Sequence, residues 1–157
     1  MQQITPFLWF NDNAEEAVNF YVSVIKDSKI LGVARYGEAG PGPAGSVMTM
    51  KFQLNGLEFI ALNGGPHFKF SPAVSFVLNC ETQAEVDHLW DNLVAGGKPN
   101  QCGWLDDKYG LTWQIVPTIL PKLLQDKDPA KATRVMQAMM KMVKLDIAEL
   151  TRAYEAP

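Results

Sequence analysis

The side chains in this sequence that could do metal or acid–base chemistry are few and far apart. It contains only two histidines and two cysteines in 157 residues. A transition-metal site needs three or four imidazole, thiolate or carboxylate ligands that converge. His88 lies beside Asp87 on the polar side of a predicted helix, so we interpret it as a solvated residue. His67 is better placed, in a linker rich in aromatic residues, and its role is left open.

The two cysteines are candidates for nucleophiles. Cys102 precedes Gly103 and Trp104 near the start of a predicted strand, where an accessible thiol could attack a substrate. Nucleophilic catalysis also needs a neighbouring base, and the spacing identifies none. We therefore interpret Cys80 and Cys102 as free thiols that pack as small hydrophobic residues, and we leave a functional role for Cys102 open.

The Gly- and Pro-rich segment 37–45 has some likeness to a phosphate-binding loop. It lacks the Lys-Ser/Thr ending of a P-loop, and it does not follow the strand, GxGxxG and helix order of a dinucleotide site. We interpret it as a flexible connector.

Composition excludes several classes of partner. The net charge of -3 arises from 14 basic and 17 acidic residues, and neither sign forms a long run. Nucleic acid is therefore not an expected partner. No apolar run approaches the roughly 20 residues of a membrane helix, and the first residues lack a basic signal region. We predict a soluble, cytoplasmic protein without a membrane partner.

One pattern that would position a binding site occurs twice. A short apolar strand at 7–10 leads into an amphipathic helix at 14–25, and a second at 74–78 leads into a helix at 83–95. Asn13 and Thr82 are matching caps, each followed three residues later by a glutamate, which predicts a capping box at both helices. The sequence thus indicates a duplicated strand–helix module, and two such modules could enclose a cavity.

The remaining elements complete an α+β fold. Strands are predicted at 29–36, 46–54, 57–62, 99–105 and 111–116, with an Asn55-Gly56 turn between the second and third. After residue 117, Asp128 and Pro129 begin a helical region whose apolar spacing continues to residue 150. We predict one domain, with two βαβββ modules in residues 1–117 and a C-terminal helical extension in residues 118–157. Exposed sheet edges and the methionines of the extension also predict a homodimer.

Three segments of the chain resemble a known family. These are FNDNAEEAVNFY at 10–21, FKFSPAVSF at 68–76 and GWLDDKYGLTWQIVP at 103–117. They resemble the PhnB-like branch of the glyoxalase/bleomycin-resistance/dioxygenase (vicinal oxygen chelate) superfamily, whose members often carry the label demethylubiquinone 3-methyltransferase. The resemblance implies paired βαβββ modules that form a half-open barrel, usually completed in a homodimer.

The resemblance also bears on cofactors. In metal-dependent relatives four ligands project into the concave face, and the resemblance puts Thr5, Ala61, Ser75 and Gln114 at or next to those positions. Hydroxyl, methyl and amide groups bind such metals poorly, so we predict no metal and no other cofactor. The Gly-rich turn and acidic residue of an adenosylmethionine site do not occur either, so methyl transfer is not expected.

The two-residue period of strands then predicts which side chains line the cavity. The lining is predicted to comprise Thr5, Phe7, Trp9, Phe59, Ala61, Asn63, Ser75, Val77, Thr112 and Gln114, with His67, Phe68 and Phe70 near the mouth. Side chains of opposite parity, such as Phe76 and Trp113, are expected under the helices.

These features favour a protein that binds a small, partly apolar or aromatic metabolite without a metal, as a binding protein or as an enzyme. One alternative is a metal-dependent lyase, isomerase or dioxygenase of the same superfamily. The other is a sequestration or resistance protein that does not turn its ligand over. The residues leave the choice among the three, and the identity of the ligand, open.

Overall fold

The computed structural model describes residues 1–157 and contains two compact units, Met1–Phe70 and Ser71–Pro157. Both units are built in the same way. A helix follows the first strand, and three further strands complete a four-stranded mixed sheet. No helix is both long enough and apolar enough to cross a membrane.

The first unit contains one helix and four strands. Its elements are β1 (Phe7–Phe10), α1 (Ala14–Val24), β2 (Lys29–Arg35), β3 (Val47–Leu54) and β4 (Leu57–Asn63). The strand order is β1-β4-β3-β2. β1 runs parallel to β4, whereas the β4–β3 and β3–β2 pairs are antiparallel.

The second unit repeats this arrangement and adds three helices. Its elements are β5 (Phe76–Cys80), α2 (Gln83–Val94), β6 (Lys98–Pro99), β7 (Trp104–Asp106), β8 (Thr112–Pro117), α3 (Ile119–Leu124), α4 (Pro129–Met139) and α5 (Ile147–Glu155). The order β5-β8-β7-β6 matches the first sheet strand for strand, and β5 is again parallel to the last strand, β8. The predicted α+β fold with a duplicated βαβββ module is confirmed.

One face of each sheet forms the core beneath its helix. In the first unit α1 contacts β3 and β4, and the covered face is apolar, including Leu8, Met50, Phe52, Phe59 and Ala61. In the second unit α2 lies against β8, and its core includes Leu105, Trp113 and Ile115, which are at most 1% exposed. The opposite face of each sheet is not covered by that helix.

The two helix caps differ from the expected matched pair. Thr82 does cap α2, since its hydroxyl accepts a hydrogen bond from the Glu85 N–H at 3.2 Å. Asn13 forms no such bond, and its predicted capping box is wrong. The carboxamide of Asn63 instead accepts a hydrogen bond from the Ala14 N–H at 2.8 Å. A side chain at the end of β4 therefore caps α1, and local sequence gives no sign of such a distant partner.

The segment predicted as one strand at 99–105 is divided by a turn. Cys102 and Gly103 have φ values of 59° and 85°, in the left-handed region, which a continuous strand does not tolerate. Their N–H groups donate to the carbonyls of Met142 and Val143 at 2.9 and 2.8 Å. Cys80 is buried, Cys102 is half-buried, and both are free thiols as predicted.

The C-terminal region forms three helices rather than one continuous helical run. The apolar spacing continues through residues 140–146, but there the backbone leaves the helix to accept the hydrogen bonds from Cys102 and Gly103. Asp146 then starts α5 by accepting a hydrogen bond from the Glu149 N–H at 3.0 Å. The helices share an apolar core made of Leu120, Leu123, Val135, Leu145 and Leu150.

Gln83 at the start of α2 connects this helical region to that helix. Its amide nitrogen donates to the Leu145 carbonyl at 3.1 Å, and its amide oxygen accepts from the Ile147 N–H at 2.8 Å. Lys144 lies close by and pairs with Asp87 and Asp91 at 3.1 and 3.2 Å. The extension is thus joined to its unit by polar contacts as well as by its apolar core.

Candidate functional site

The open face of the first sheet carries a group of apolar side chains. Phe7 and Trp9 alternate with the buried Leu8 and Phe10, so they face away from α1. The parallel register pairs Phe7 with Ile60 and Trp9 with Leu62, which places all four side chains on one face. The Phe7 side chain is 55% exposed.

Trp9 is held in a defined orientation by the linker that follows β4. Its indole N–H donates to the Gly65 carbonyl at 2.9 Å. The Phe68 ring packs edge-on against it, with ring centroids 4.9 Å apart. A Cβ atom at Gly64 would lie only 2.4 Å from the indole, so a side chain there would displace the ring. Trp9 therefore presents a positioned aromatic surface.

The three linker residues predicted at a cavity mouth lie in different surroundings. Phe68 contacts Trp9, as described above. Phe70 packs instead against Phe10, with centroids 5.2 Å apart, and Phe10 belongs to the helix-covered face. His67 is exposed and forms no side-chain hydrogen bond or ion pair. The linker thus divides its aromatic residues between the two sides of β1.

The prediction that Phe59 and Ala61 share a face with Phe7 and Trp9 is wrong. Phe59 pairs with Phe52, and Ala61 with Met50 and Leu8, so both lie on the face covered by α1 and are at most 3% exposed. Asn63 has the same parity and caps α1. Ile60 and Leu62 occupy the open face instead.

The sequence does contain a signal for the correct parity of β4. The two-residue turn Asn55-Gly56 pairs Leu54 with Leu57 and thereby fixes the register of the whole hairpin. Since Met50 and Phe52 belong to the apolar side of β3, their partners in β4 must be buried with them.

Thr5 lies just before β1 and is half-buried. It borders a shallow surface depression together with Gln53 and Glu58. The Glu58 carboxylate is paired with Lys51 at 3.1 Å. Thr5 therefore has polar neighbours but makes no contact that assigns it a role.

In the second unit, Ser75 and Gln114 form a polar pair. The Gln114 amide nitrogen donates to the Ser75 hydroxyl at 2.9 Å. Gln114 is paired across the sheet with Val77 and Trp104, so these three side chains share the face away from α2. Phe76 and Trp113 lie on the opposite face, which is the partition predicted for β5 and β8.

Thr112 has the open-face parity of Gln114 but is fully buried, and its hydroxyl donates to Asp106 at 2.7 Å. It is therefore engaged within the sheet. Trp104 was not among the predicted lining residues. It is a half-buried aromatic neighbour of Gln114 on the open face.

The residues at the four predicted metal-ligand positions do not suit the divalent metal that the resemblance implies. No three His, Cys, Asp or Glu side chains come close enough to bind a metal ion together. Of the four positions taken from the resemblance, Ala61 offers a buried methyl group, while Ser75 and Gln114 are hydrogen-bonded to each other. Neutral hydroxyl and amide oxygens without carboxylate or imidazole partners hold divalent transition metals weakly.

The perturbed carboxylates lie away from both open faces. A hydrogen bond from Gln83 and a weaker contribution from the Lys144 hydrogen bond lower the pKa of Asp87. The hydrogen bond from Tyr154 lowers the pKa of Asp126. Asp87 connects α2 to the C-terminal extension through Lys144, and Asp126 connects the α3–α4 segment to α5, so these shifts reflect structural contacts.

Comparison with known proteins gives the family. The model of the 3-demethylubiquinone-9 3-methyltransferase family matches residues 2–116, which contain both mixed sheets except the last residue of β8. The chain belongs to this PhnB-like family. The C-terminal helices, from α3 onward, lie beyond the matched residues.

Solved structures agree with this assignment. The PhnB protein from Bacillus cereus, described as a 3-demethylubiquinone-9 3-methyltransferase, is 40% identical, with a TM-score of 0.69 over 74% of this chain and 100% of that chain. A glyoxylase/bleomycin resistance protein/dioxygenase domain from Frankia is 16% identical, with a TM-score of 0.50 over 74% of this chain and 94% of that one. The fosfomycin resistance protein FosX from Listeria monocytogenes is 13% identical, with a TM-score of 0.52 over 78% and 97%.

The last two structures share the fold alone with this PhnB-like chain. No curated protein matches the sequence.

Proposed function

We propose that this PhnB-like chain binds a small, partly apolar or aromatic molecule on the open face of its first sheet, without a metal. The supporting observation is the orientation of Trp9, whose ring is fixed by Gly65 and Phe68 while neighbouring Phe7 remains 55% exposed. Positioned aromatic rings bind flat apolar ligands by stacking and edge-to-face contacts, with little entropy lost on binding.

The open face of the second sheet has a more polar character. Ser75 and Gln114 offer a hydroxyl and a carboxamide beside the exposed Val77. Each group has capacity for a further hydrogen bond to a ligand. Taken by itself, this face suits a ligand group that donates or accepts hydrogen bonds.

Replacing Trp9 with alanine tests the proposal. We expect Trp9→Ala to weaken binding of an aromatic probe, 1-naphthol, about tenfold, because an aromatic contact contributes about 1.4 kcal/mol. Binding is measured by chemical-shift titration. Phe7→Ala removes an exposed ring and should also weaken binding, with no cost to folding. His88→Ala, on α2, is the control and should leave the affinity unchanged. Unaltered binding by both aromatic variants would contradict the proposal.

Elemental analysis distinguishes the metal-independent proposal from the metal-dependent alternative. We expect protein purified without chelators to contain far less than one equivalent of zinc, nickel, manganese or iron, because the donor set is neutral. Gln114→Ala serves as the comparison variant. A stoichiometric metal that this variant loses would make a metal-dependent lyase, isomerase or dioxygenase the leading function.

Methyl transfer, which the family description names, is not part of the proposal. Both sheets are mixed and four-stranded, whereas the Gly-rich turn that holds an adenosine cofactor belongs to doubly wound parallel sheets.

The sequestration alternative is tested by incubating the protein with its ligand. Recovery of the bound molecule unchanged after incubation would favour sequestration over catalysis.

The proposal includes a cytoplasmic homodimer. β2 is an edge strand whose seven residues are all exposed, among them Ile30, Leu31 and Val33. Edge strands of this kind are usually covered or paired. A second copy of the chain could supply that cover.

A further inference from the structure

A second cavity lies in the first unit, apart from Phe7 and Trp9. It is a cleft of about 300 Å³ at the end of the sheet, where β1 and β4 finish and β3 begins. Its walls include Asn11, Asp12, Tyr36, Pro41, Pro43 and Val47. A volume of about 300 Å³ is at the lower end of the range for small-molecule sites.

One wall of the cleft is the 37–45 segment, which was expected to be a flexible connector. It folds around the buried Tyr36 ring, and Cβ atoms at Gly40 and Gly42 would lie 2.8 and 2.5 Å from that ring. The Ser46 N–H and hydroxyl both donate to the Pro43 carbonyl, at 3.1 and 2.6 Å. The loop therefore has a specific fold that gives the cleft a defined shape.

Most polar groups at the back of the cleft are already used. The Tyr36 hydroxyl donates to the Asn63 carbonyl. The Asn63 side chain caps α1 through its oxygen and donates to the Val47 carbonyl at 3.1 Å through its nitrogen. These bonds engage the Tyr36 hydroxyl and both the oxygen and the nitrogen of the Asn63 carboxamide.

The polar side chains that remain free in the cleft are a carboxylate and a carboxamide. The Asp12 carboxylate and the Asn11 carboxamide are exposed and have no side-chain partner within the chain. No lysine, arginine or histidine lines the cleft, so Asp12 supplies its only formal charge. Pro41, Pro43 and Val47 contribute apolar surface to the same cleft.

From this arrangement we propose that the cleft binds a small organic cation, a primary ammonium group on a compact apolar body. An ammonium group carries three donors and no acceptor, which complements a carboxylate beside an amide oxygen. The apolar body packs against the two prolines. The Asp12 carboxylate would repel an anion, and no cationic side chain lines the cleft to offset that repulsion. This site is independent of the function proposed for the open sheet face.

The test uses benzylammonium as the probe and benzyl alcohol as its uncharged counterpart. Amide chemical shifts of Gly42, Ser46 and Val47, which line the cleft away from Trp9, should move with benzylammonium and much less with benzyl alcohol. We expect Asp12→Asn to raise the dissociation constant at least about fivefold, since a charge-assisted hydrogen bond is lost. Glu38→Gln, the same loss of charge in the 37–45 loop outside the cleft lining, should change nothing.

Salt provides a measurement that needs no variant. Raising ionic strength from about 0.05 to about 0.5 M should weaken binding to the wild-type chain several-fold, because the Asp12 pair is exposed to solvent. Equal binding of benzyl alcohol, an unaltered constant in Asp12→Asn, or insensitivity to salt would each overturn the proposal. Shifts confined to the Trp9 indole would assign the probe to the sheet face instead.

Discussion

Asp107→Ala is expected to lower the free energy of unfolding by about 3 kcal/mol, because it leaves buried donors without acceptors. Asp107 is 3% exposed, in the turn between β7 and β8. Its carboxylate accepts from the Trp113 indole at 2.9 Å and from the Tyr109 and Leu111 N–H groups at 2.8 and 3.1 Å. Removing one side chain thus affects the turn and the core tryptophan together.

Denaturant unfolding followed by tryptophan fluorescence measures this loss. Asp107→Asn keeps one acceptor oxygen and should lose less stability than the alanine variant. Asp91→Ala is the matched control, an exposed aspartate whose 3.2 Å pair with Lys144 should contribute less than about 1 kcal/mol. If the alanine variants at the two positions proved equally stable, the assignment of Asp107 as the organiser of this turn would be wrong.

Gly97→Ala is expected to lower the free energy of unfolding by about 3 kcal/mol or more, because the added methyl group would overlap the backbone of Asp106 and Asp107. A Cβ atom there would lie 2.1 Å from the Asp106 carbonyl oxygen and 2.9 Å from the Asp107 Cα atom. Backbone cannot move aside as a flexible side chain can, so the pairing of β6 with β7 would have to change.

Gly32→Ala is the control for this substitution. It adds the same methyl group in strand β2, where no atom lies within 4 Å of the new Cβ. We expect a change within about 0.5 kcal/mol, as for surface substitutions in general. Thermal unfolding of both variants gives the comparison, and a small effect at Gly97 would mean that the β6 strand tolerates displacement.

The duplicated module could be predicted because each copy carries its own local signals. Apolar strands, a helix with an apolar stripe and the Asn55-Gly56 turn all act over a few residues, and the structure confirms the elements that they predict. The face on which each side chain of β1, β5 and β8 lies could be predicted in the same way. Alternation along the strand separates Trp9 in β1, and Gln114 in β8, from their buried neighbours.

The predictions that were wrong depended on partners distant in the chain. Ala61 was placed from a resemblance, whereas its partner Met50 in β3 fixes its orientation. Asn13 has the residue type of a cap, but Asn63 provides the hydrogen bond. The apolar spacing through residues 140–146 indicates helix, but a non-helical turn there supplies the carbonyl acceptors for the N–H groups of Cys102 and Gly103. In each case a tertiary hydrogen bond or strand pairing overrode a local preference.

The contacts of Gln83 have a consequence for the order in which the chain folds during synthesis. This residue bonds to Leu145 and Ile147, 62 and 64 positions later, whereas the first unit finds its partners within residues 1–70. Domains generally fold as their residues emerge, and contacts between distant residues form slowly. The first unit can therefore form while translation continues. The second must wait, with the start of α2 and the Cys102 turn incompletely bonded, until residues 142–147 have emerged from the ribosome.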